Sequence, residues 1–566
     1  MFRGRTTTDW ALTLAAIGLM LLAVRPFYGL TVDDALISFR YAQNWVEGCG
    51  PVYSCGEAPV EGYTNFLWVA IAAGFIRLGV AVIPAMQLLG LLCSMAALLV
   101  GLRLAKVLHG ERLAGLALGL GLAASPFWAL NSVIALETSA AALSIVSATL
   151  LSLELPRRRP FTAGLAWAIS YLIRPEAMLF ALLTGIYALL ASLVRRDGWR
   201  LVLLGALRYS LGFLSVAGPY FLWRALYYKS LFPNTYYAKK GALKTLVPQN
   251  LELLWRHPIF WVALGAAAVF VLLWRRKGKI LYVMLVGLTS AMISLSVHNN
   301  WWMPGHRLYM SAALLFLAVG GGVVTLGARA HYWAWRAPGL VLTTALLGAL
   351  FVSTWRNQPS VSTEAEQHYA RENHPAERMG SYLRKHAKKG DWLIIRDAGF
   401  IPFFAGPKLK VLDIHDHSLN DRRIARQGWS LNYILSRKPR FIVLASYNGR
   451  TLQLAHLSER RIHTHPDFKL YRQLMRVAWN GTRHYFLYER NPLKASSLPA
   501  RKMNAIMGPP LPPHLRARQL SKTGRAKRAG RLSRSKRRER FTGVKRRAHR
   551  LTPSRKGVKP RAKPKH

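Results

Sequence analysis

Two carboxylates stand side by side just after the first apolar run, Asp33 and Asp34 in LTVDDALISFRYAQNW. A carboxylate at the edge of a membrane segment is costly to keep and marks a place where it acts. One of the pair can take a proton from a hydroxyl as that hydroxyl attacks a carbon centre, while the other orients it or holds a cation. The structural alternative is capping, because Asp34-Ala35-Leu36-Ile37 reads as a helix start.

Cations that could meet this pair recur later in the chain. Lys239 and Lys240 follow FPNTYYA, His306 and Arg307 follow WWMPG, and Arg174 precedes Pro175-Glu176 at a helix boundary. Positive groups stabilise the charge that builds on a departing phosphate. Basic residues at helix ends also serve as snorkelling anchors, which is the bland account of each. Tyr63, Asn65, Asn234, Tyr236, Tyr237, Trp301 and Trp302 are candidates for a sugar-binding or lipid-lining groove. For the aromatics, an interfacial belt is the competing explanation. Glu137 and Glu176 open outward-facing helix ends and read as mainly structural, Glu137 as a partner for a basic residue of another loop. Ile414-His415-Asp416-His417 has poor spacing for zinc and reads as a polar loop. No metal site or cofactor is expected, and Asn480-Gly481-Thr482 is a short sequon match that carries little. Cys49 and Cys55 share one short polar segment and could close a small disulfide loop, with free thiols as the alternative; Cys93 lies in an apolar run.

These residues must be positioned by membrane helices. The chain has 566 residues, is 52% apolar and carries a formal net charge of +53. Apolar runs of roughly 17–23 residues alternate with short polar links over about the first 355 positions, the signature of spanning helices. About eleven are expected, near 10–28, 84–104, 113–131, 135–153, 160–174, 176–193, 201–224, 258–274, 280–297, 308–327 and 338–355. The run Tyr63–Val80 is read as interfacial or re-entrant, because every basic short link then falls on one side, with Arg3 and Arg5 at a cytoplasmic N-terminus. The segments holding Asp33, Tyr63, Glu137, Arg174, Asn234 and His306 then share the opposite, extracytoplasmic face. Transporters gather polar sites near the bilayer midplane, so this distribution favours surface chemistry.

Three regions follow: a membrane domain over 1–356, with its first outer loop at 29–80, a mixed domain over 357–490, and a tail over 491–566. The middle region reads as α/β, with a helix over Glu364–Lys388 and strands at Asp391–Arg396, Arg440–Ala445 and His484–Tyr488. It is expected outside the cytoplasm, binding an acceptor or simply covering the outer loops. From Pro492 onward 25 Lys or Arg face a single acid, Glu539, a composition expected to stay disordered and to attract anionic lipid or polysaccharide rather than nucleic acid.

The string TVDDALISFRYAQNWVEGCGPVYSCGEAPVEGYTNFLW resembles the first outer loop of GT-C glycosyltransferases, in particular the mycobacterial terminal β-(1→2) arabinofuranosyltransferase branch. ALETSAAAL, LIRPEAMLF, SLFPNTYYAK, WWMPGHRLYM and DAGFIPFFAGPKLKVLDI follow in the same order, over roughly residues 10–490. The resemblance implies an inverting transferase of the bacterial inner membrane. It would move a sugar, arabinofuranose or a similar pentose, from a polyprenyl-phosphate donor to an envelope glycan or glycolipid. It ranks Asp33 as base and Asp34 as its partner, with Lys239, His306 and Arg307 at the lipid phosphate. Two departures are clear. An acidic residue common before WMP in the family is replaced by His298-Asn299-Asn300-Trp301, which counts against a divalent cation there, and the basic tail lies outside the family pattern. A lipid-linked sugar transporter, or a non-catalytic envelope or motility-accessory protein on the same scaffold, are the competing readings.

Overall fold

The computed structural model describes residues 7–239 apart from 111–113, 124 and 155–158, then 277–296, 309–322 and most of 361–491, with a few positions between 261 and 341. The chain divides at Pro492, and no described residue follows that point. The expected spans at 258–274 and 338–355 therefore lie essentially outside the described residues. So do Trp301, Trp302, His306, Arg307, Asp416, His417, Asn480-Gly481-Thr482, the Lys239 side chain and the tail.

The described α-helices before residue 240 are α1 (Thr7–Val24), α2 (Asp33–Asn44), α3 (Phe66–Arg77), α4 (Val82–His109), α5 (Ala114–Ala123), α6 (Pro126–Val133), α7 (Thr138–Glu154), α8 (Pro160–Ile173), α9 (Ala177–Val194), α10 (Trp199–Tyr228) and α11 (Asn234–Lys239). Lys277–Ser296 and Met310–Gly320 follow. Among the described residues α4, α9 and α10 are long and apolar enough to cross a membrane, and α6 with α7 would make one broken span bent by 108°. The expectation of about eleven spans is not reached there; α8 and Met310–Gly320 are apolar but shorter.

Local chemistry explains where helices stop. The run 113–131 was expected as one span and is two helices, because Pro126 cannot continue α5 and Ser125 Oγ instead accepts Trp128 N–H at 3.3 Å to start α6. At 12 residues α3 spans about 18 Å, too little for a bilayer core of about 30 Å. Glycines set the tightest helix contact: a Cβ on Gly164 would stand 2.1 Å from the Tyr209 carbonyl oxygen, and one on Gly212 2.0 Å from that of Phe161. Small residues at these positions let α8 and α10 meet backbone to backbone.

The distal region is built on five strands, β1 (Trp392–Ile395), β2 (Lys410–Asp413), β3 (Phe441–Ser446), β4 (Tyr471–Ala478) and β5 (His484–Arg490), in the order β2-β1-β3-β5-β4. β1 pairs parallel with β2 and β3; β5 runs antiparallel to β3 and β4. All six residues of β3 are buried, as expected of a strand covered on both faces. The helix expected over 364–388 is interrupted. Positions 361–363 and 365–366 are helical, and Pro375 then opens a separate helix, Pro375–His386. The residue before a proline avoids the helical region, and His374 sits at ψ 141. β2 and β4 were not anticipated; β2 has four residues, and most of β4 is at least partly exposed.

One hydrophobic core joins the first outer loop to this domain. Ala35, Leu36 and Phe39 of α2 are fully buried in the same cluster as Met379, Leu383, Phe400 and Ile401. An antiparallel bridge adds Thr31 N–H to Ala370 O at 2.8 Å and Ala370 N–H to Thr31 O at 3.0 Å.

Candidate active site at the first outer loop

The pair begins α2. Val32, extended at φ −88 and ψ 145, precedes the helix without a side-chain cap, which leaves Asp33 and Asp34 in its first turn. Asp33 caps a different helix. Its two carboxylate oxygens accept the N–H groups of Gly399 at 3.0 Å and Phe400 at 2.7 Å, at the start of the short helix Phe400–Ala405. Arg40, seven residues further along α2, lies on the same helix face. It donates to the carbonyls of Tyr53 at 2.9 Å, Gly406 at 3.2 Å, Leu409 at 2.7 Å and Pro402. An anion thus meets the helix start and a cation its end, each with the favourable sign for the helix dipole. Gly399 permits the close approach: a Cβ there would fall 2.0 Å from the Asp33 carbonyl oxygen and 2.6 Å from its Cγ.

Desolvation pushes the Asp33 carboxyl up to about 7; nearby Asp397 and then Asp34 add to the rise, against the two backbone N–H bonds. Asp397 goes the other way. Desolvation works to raise it, but Arg483 at 2.5 Å, Arg396 and the Tyr485 hydroxyl hold it below the usual carboxylate range. Two neighbouring acids are thereby tuned apart, one ionised and one poised near neutrality, the arrangement that suits a general base.

Asp34 faces elsewhere. With Ser38 and Tyr41 it occupies the i, i+4, i+7 row of α2, about 100° from the Asp33 row. From Ser38 a polar chain runs into the helices: Ser38 and Asn65 bond at 3.2 Å, Asn65 Nδ2 donates to Glu137 at 2.8 Å, and Arg174 bridges Glu137 at 2.9 Å and Glu176 at 2.7 Å. Glu137 lies at the bend between α6 and α7. Arg174, expected at the donor phosphate, is held by two carboxylates and lines a cavity of about 30 Å³, room for a water.

The groove candidates separate by burial. Tyr63 is buried, its hydroxyl 2.9 Å from that of Tyr228, and Asn65 is buried in the polar chain. Asn234 is buried too, donating to the Leu419 carbonyl at 2.8 Å and the Asp421 carbonyl at 3.2 Å, so it fastens the FPNT loop to the distal domain. Tyr236 is exposed, and Tyr237 lies under the Arg426 guanidinium at 4.3 Å. Cys49 and Cys55 form a disulfide with Cα atoms 5.4 Å apart, closing the turn that presents Tyr53 and Ser54. Ser54 Oγ accepts Val411 N–H at 3.0 Å, and the Tyr53 hydroxyl donates to the Ala398 carbonyl at 2.5 Å. His415 stands just after β2, its N–H bonded to Asp413 at 2.9 Å.

Sequence reasoning missed Arg40, Asp397, Arg483 and Glu61. Burial pushes the Glu61 carboxyl up to about 7 against the pull of Arg224, 3.7 Å away. An Arg placed seven residues after an Asp, on the same face of a predicted helix, was the available signal for Arg40.

Residues 360–488 match the model of a domain of unknown function, DUF8728. No curated protein matches the chain by sequence. Among solved structures, ArnT from Cupriavidus metallidurans bound to undecaprenyl phosphate is similar with a TM-score of 0.53 at 12% identity, over 85% of this chain and 98% of that one. Its apo form gives 0.52 at 13% identity over the same shares. Arabinosyltransferase EmbB from Mycobacterium smegmatis matches over 64% of this chain and 42% of that one, at 12% identity and a TM-score of 0.39. At this identity the ArnT match carries the fold alone.

Proposed function

We propose that the protein is a membrane glycosyltransferase that moves a sugar from a polyprenyl-phosphate donor to an envelope glycan or glycolipid. The carrying observation is the placement of Asp33, anchored by two backbone N–H groups and pushed up to about 7. Two of its four lone-pair sites are used by those bonds, which leaves acceptor capacity for a hydroxyl proton. Asp33 takes that proton while the oxygen attacks the anomeric carbon, and the lipid phosphate leaves from the opposite face with inversion. Asp34 orients the reactants from the neighbouring row of α2. Lys239, His306 and Arg307 neutralise the departing phosphate.

The ArnT fold supports this reading, since that protein is seen bound to undecaprenyl phosphate. The order of motifs from TVDD to WWMPGHR favours a pentose such as arabinofuranose. The reaction takes place on the extracytoplasmic face of a bacterial inner membrane, with the N-terminus inside and the α/β domain outside. Profiling the envelope glycans and polyprenyl-phosphate sugars of a deletion strain tests the assignment. The strain should lose one terminal sugar and accumulate the matching lipid-linked donor; unchanged profiles of both would sink it.

A further inference from the structure

A cleft of about 580 Å³ opens where residues 53–60 of the first outer loop meet residues 420–437 of the distal domain. That volume suits a small ligand or a short stretch of a polymer. Four guanidiniums line it, those of Arg422, Arg423, Arg426 and Arg437, against two carboxylates, Glu57 and Asp421. Both acids are engaged already. Glu57 binds Lys410 at 2.7 Å, with Arg437 3.7 Å away, and Asp421 accepts the Tyr433 hydroxyl and the Ile424 N–H, each at 2.8 Å. Arg423 and Arg426 are exposed, and neither has a carboxylate partner among the described residues.

Three of the four arginines are also held flat, while Arg422 donates to the Pro59 carbonyl at 3.0 Å and the Tyr228 carbonyl at 2.5 Å. Arg423 lies over Tyr433 at 4.4 Å, Arg426 over Tyr237 at 4.3 Å, and Arg437 over Trp392 at 4.8 Å. A stacked guanidinium loses less freedom on binding and keeps its in-plane N–H groups for the forked recognition of phosphate or carboxylate. Tyr53 joins this cleft to the candidate active site. It lines the cavity, and its hydroxyl bonds Ala398, next to the Gly399 that meets Asp33.

We propose that this cleft is an anion subsite for an acidic saccharide bearing phosphate or carboxylate groups. As a statement about catalysis it rests on the transferase reading, in which that saccharide is the acceptor. As a statement about binding it stands alone.

Hydrogen exchange on the full-length protein in detergent reads the site by location. The probes are a phosphorylated oligosaccharide, a uronic-acid oligosaccharide of equal length, their neutral counterpart and a Glu-rich peptide. Protection of 53–60 and 420–437 by either acidic sugar is expected, and which one protects identifies the anion. In the double variant Arg423→Gln/Arg426→Gln the apparent affinity should fall at least about tenfold, while exchange in β1 and β3 stays unchanged. Equal protection by the neutral sugar or the peptide, protection confined to the basic tail, or an unaltered affinity in the folded double variant would overturn the proposal. Binding that persists in Asp33→Asn while the deletion strain shows no change in glycans would retain the subsite and reject the transferase.

Discussion

At the scale of single residues, the proposed reaction gives Asp33 two duties with opposite pH dependence. Its folded value of about 7 lies above the ordinary 3.8, so between those values the folded protein holds the proton more tightly than the unfolded chain. The contribution of Asp33 to stability is therefore largest at low pH and falls as pH rises towards 7. In the proposed reaction the base must be ionised, so transfer should rise around the folded value of about 7. The melting temperature is expected to drift down between about pH 4 and 7, while kcat/KM climbs between about pH 6 and 8 and then levels. A flat rate profile over that range would remove Asp33 as the titrating group. The acidic pair was legible in sequence because its cost beside a membrane helix is general physics. Its partners were not: whether Arg40 faces lipid, water or a carbonyl cannot be read from local pattern when those carbonyls lie in another domain.

At the scale of elements, the helix Phe400–Ala405 is held from outside, by Asp33 at its start and Arg40 at its end. A six-residue helix has little stability of its own, so these contacts decide its position. Gly399→Ala tests this from the other side of the contact, with Asp33 itself unchanged. The new methyl would collide with Asp33, whose backbone and Cγ are within 2.6 Å of it. Stability should drop by roughly 1–3 kcal/mol, and transfer should weaken with it. A variant with unchanged melting and activity would show that the contact is dispensable. Proline marks helix starts at Pro126 and Pro375, and the sequence reading runs its helices through both. β2 and β4 escaped because a four-residue strand and a largely uncovered edge give too short or too mixed a pattern.

At the scale of the whole molecule, the outer loop and the distal domain share one core and one polar seam. In the proposed reaction, a base at that seam would sense whether the domain is seated, which would couple the acceptor side to the proton-transfer group. The same sharing makes Asp33→Asn a composite change, since the amide keeps one acceptor oxygen but turns an N–H donor towards the other backbone N–H, which weakens docking by roughly 1–3 kcal/mol. Rate and fold must therefore be measured together. The deciding measurement is sugar transfer from a polyprenyl-phosphate pentose by purified Asp33→Asn, with melting and lipid-phosphate binding recorded on the same sample. The rate should fall by ~10²–10⁴ while the protein stays folded and still binds the lipid. Transfer at the wild-type rate by that folded variant would contradict the account.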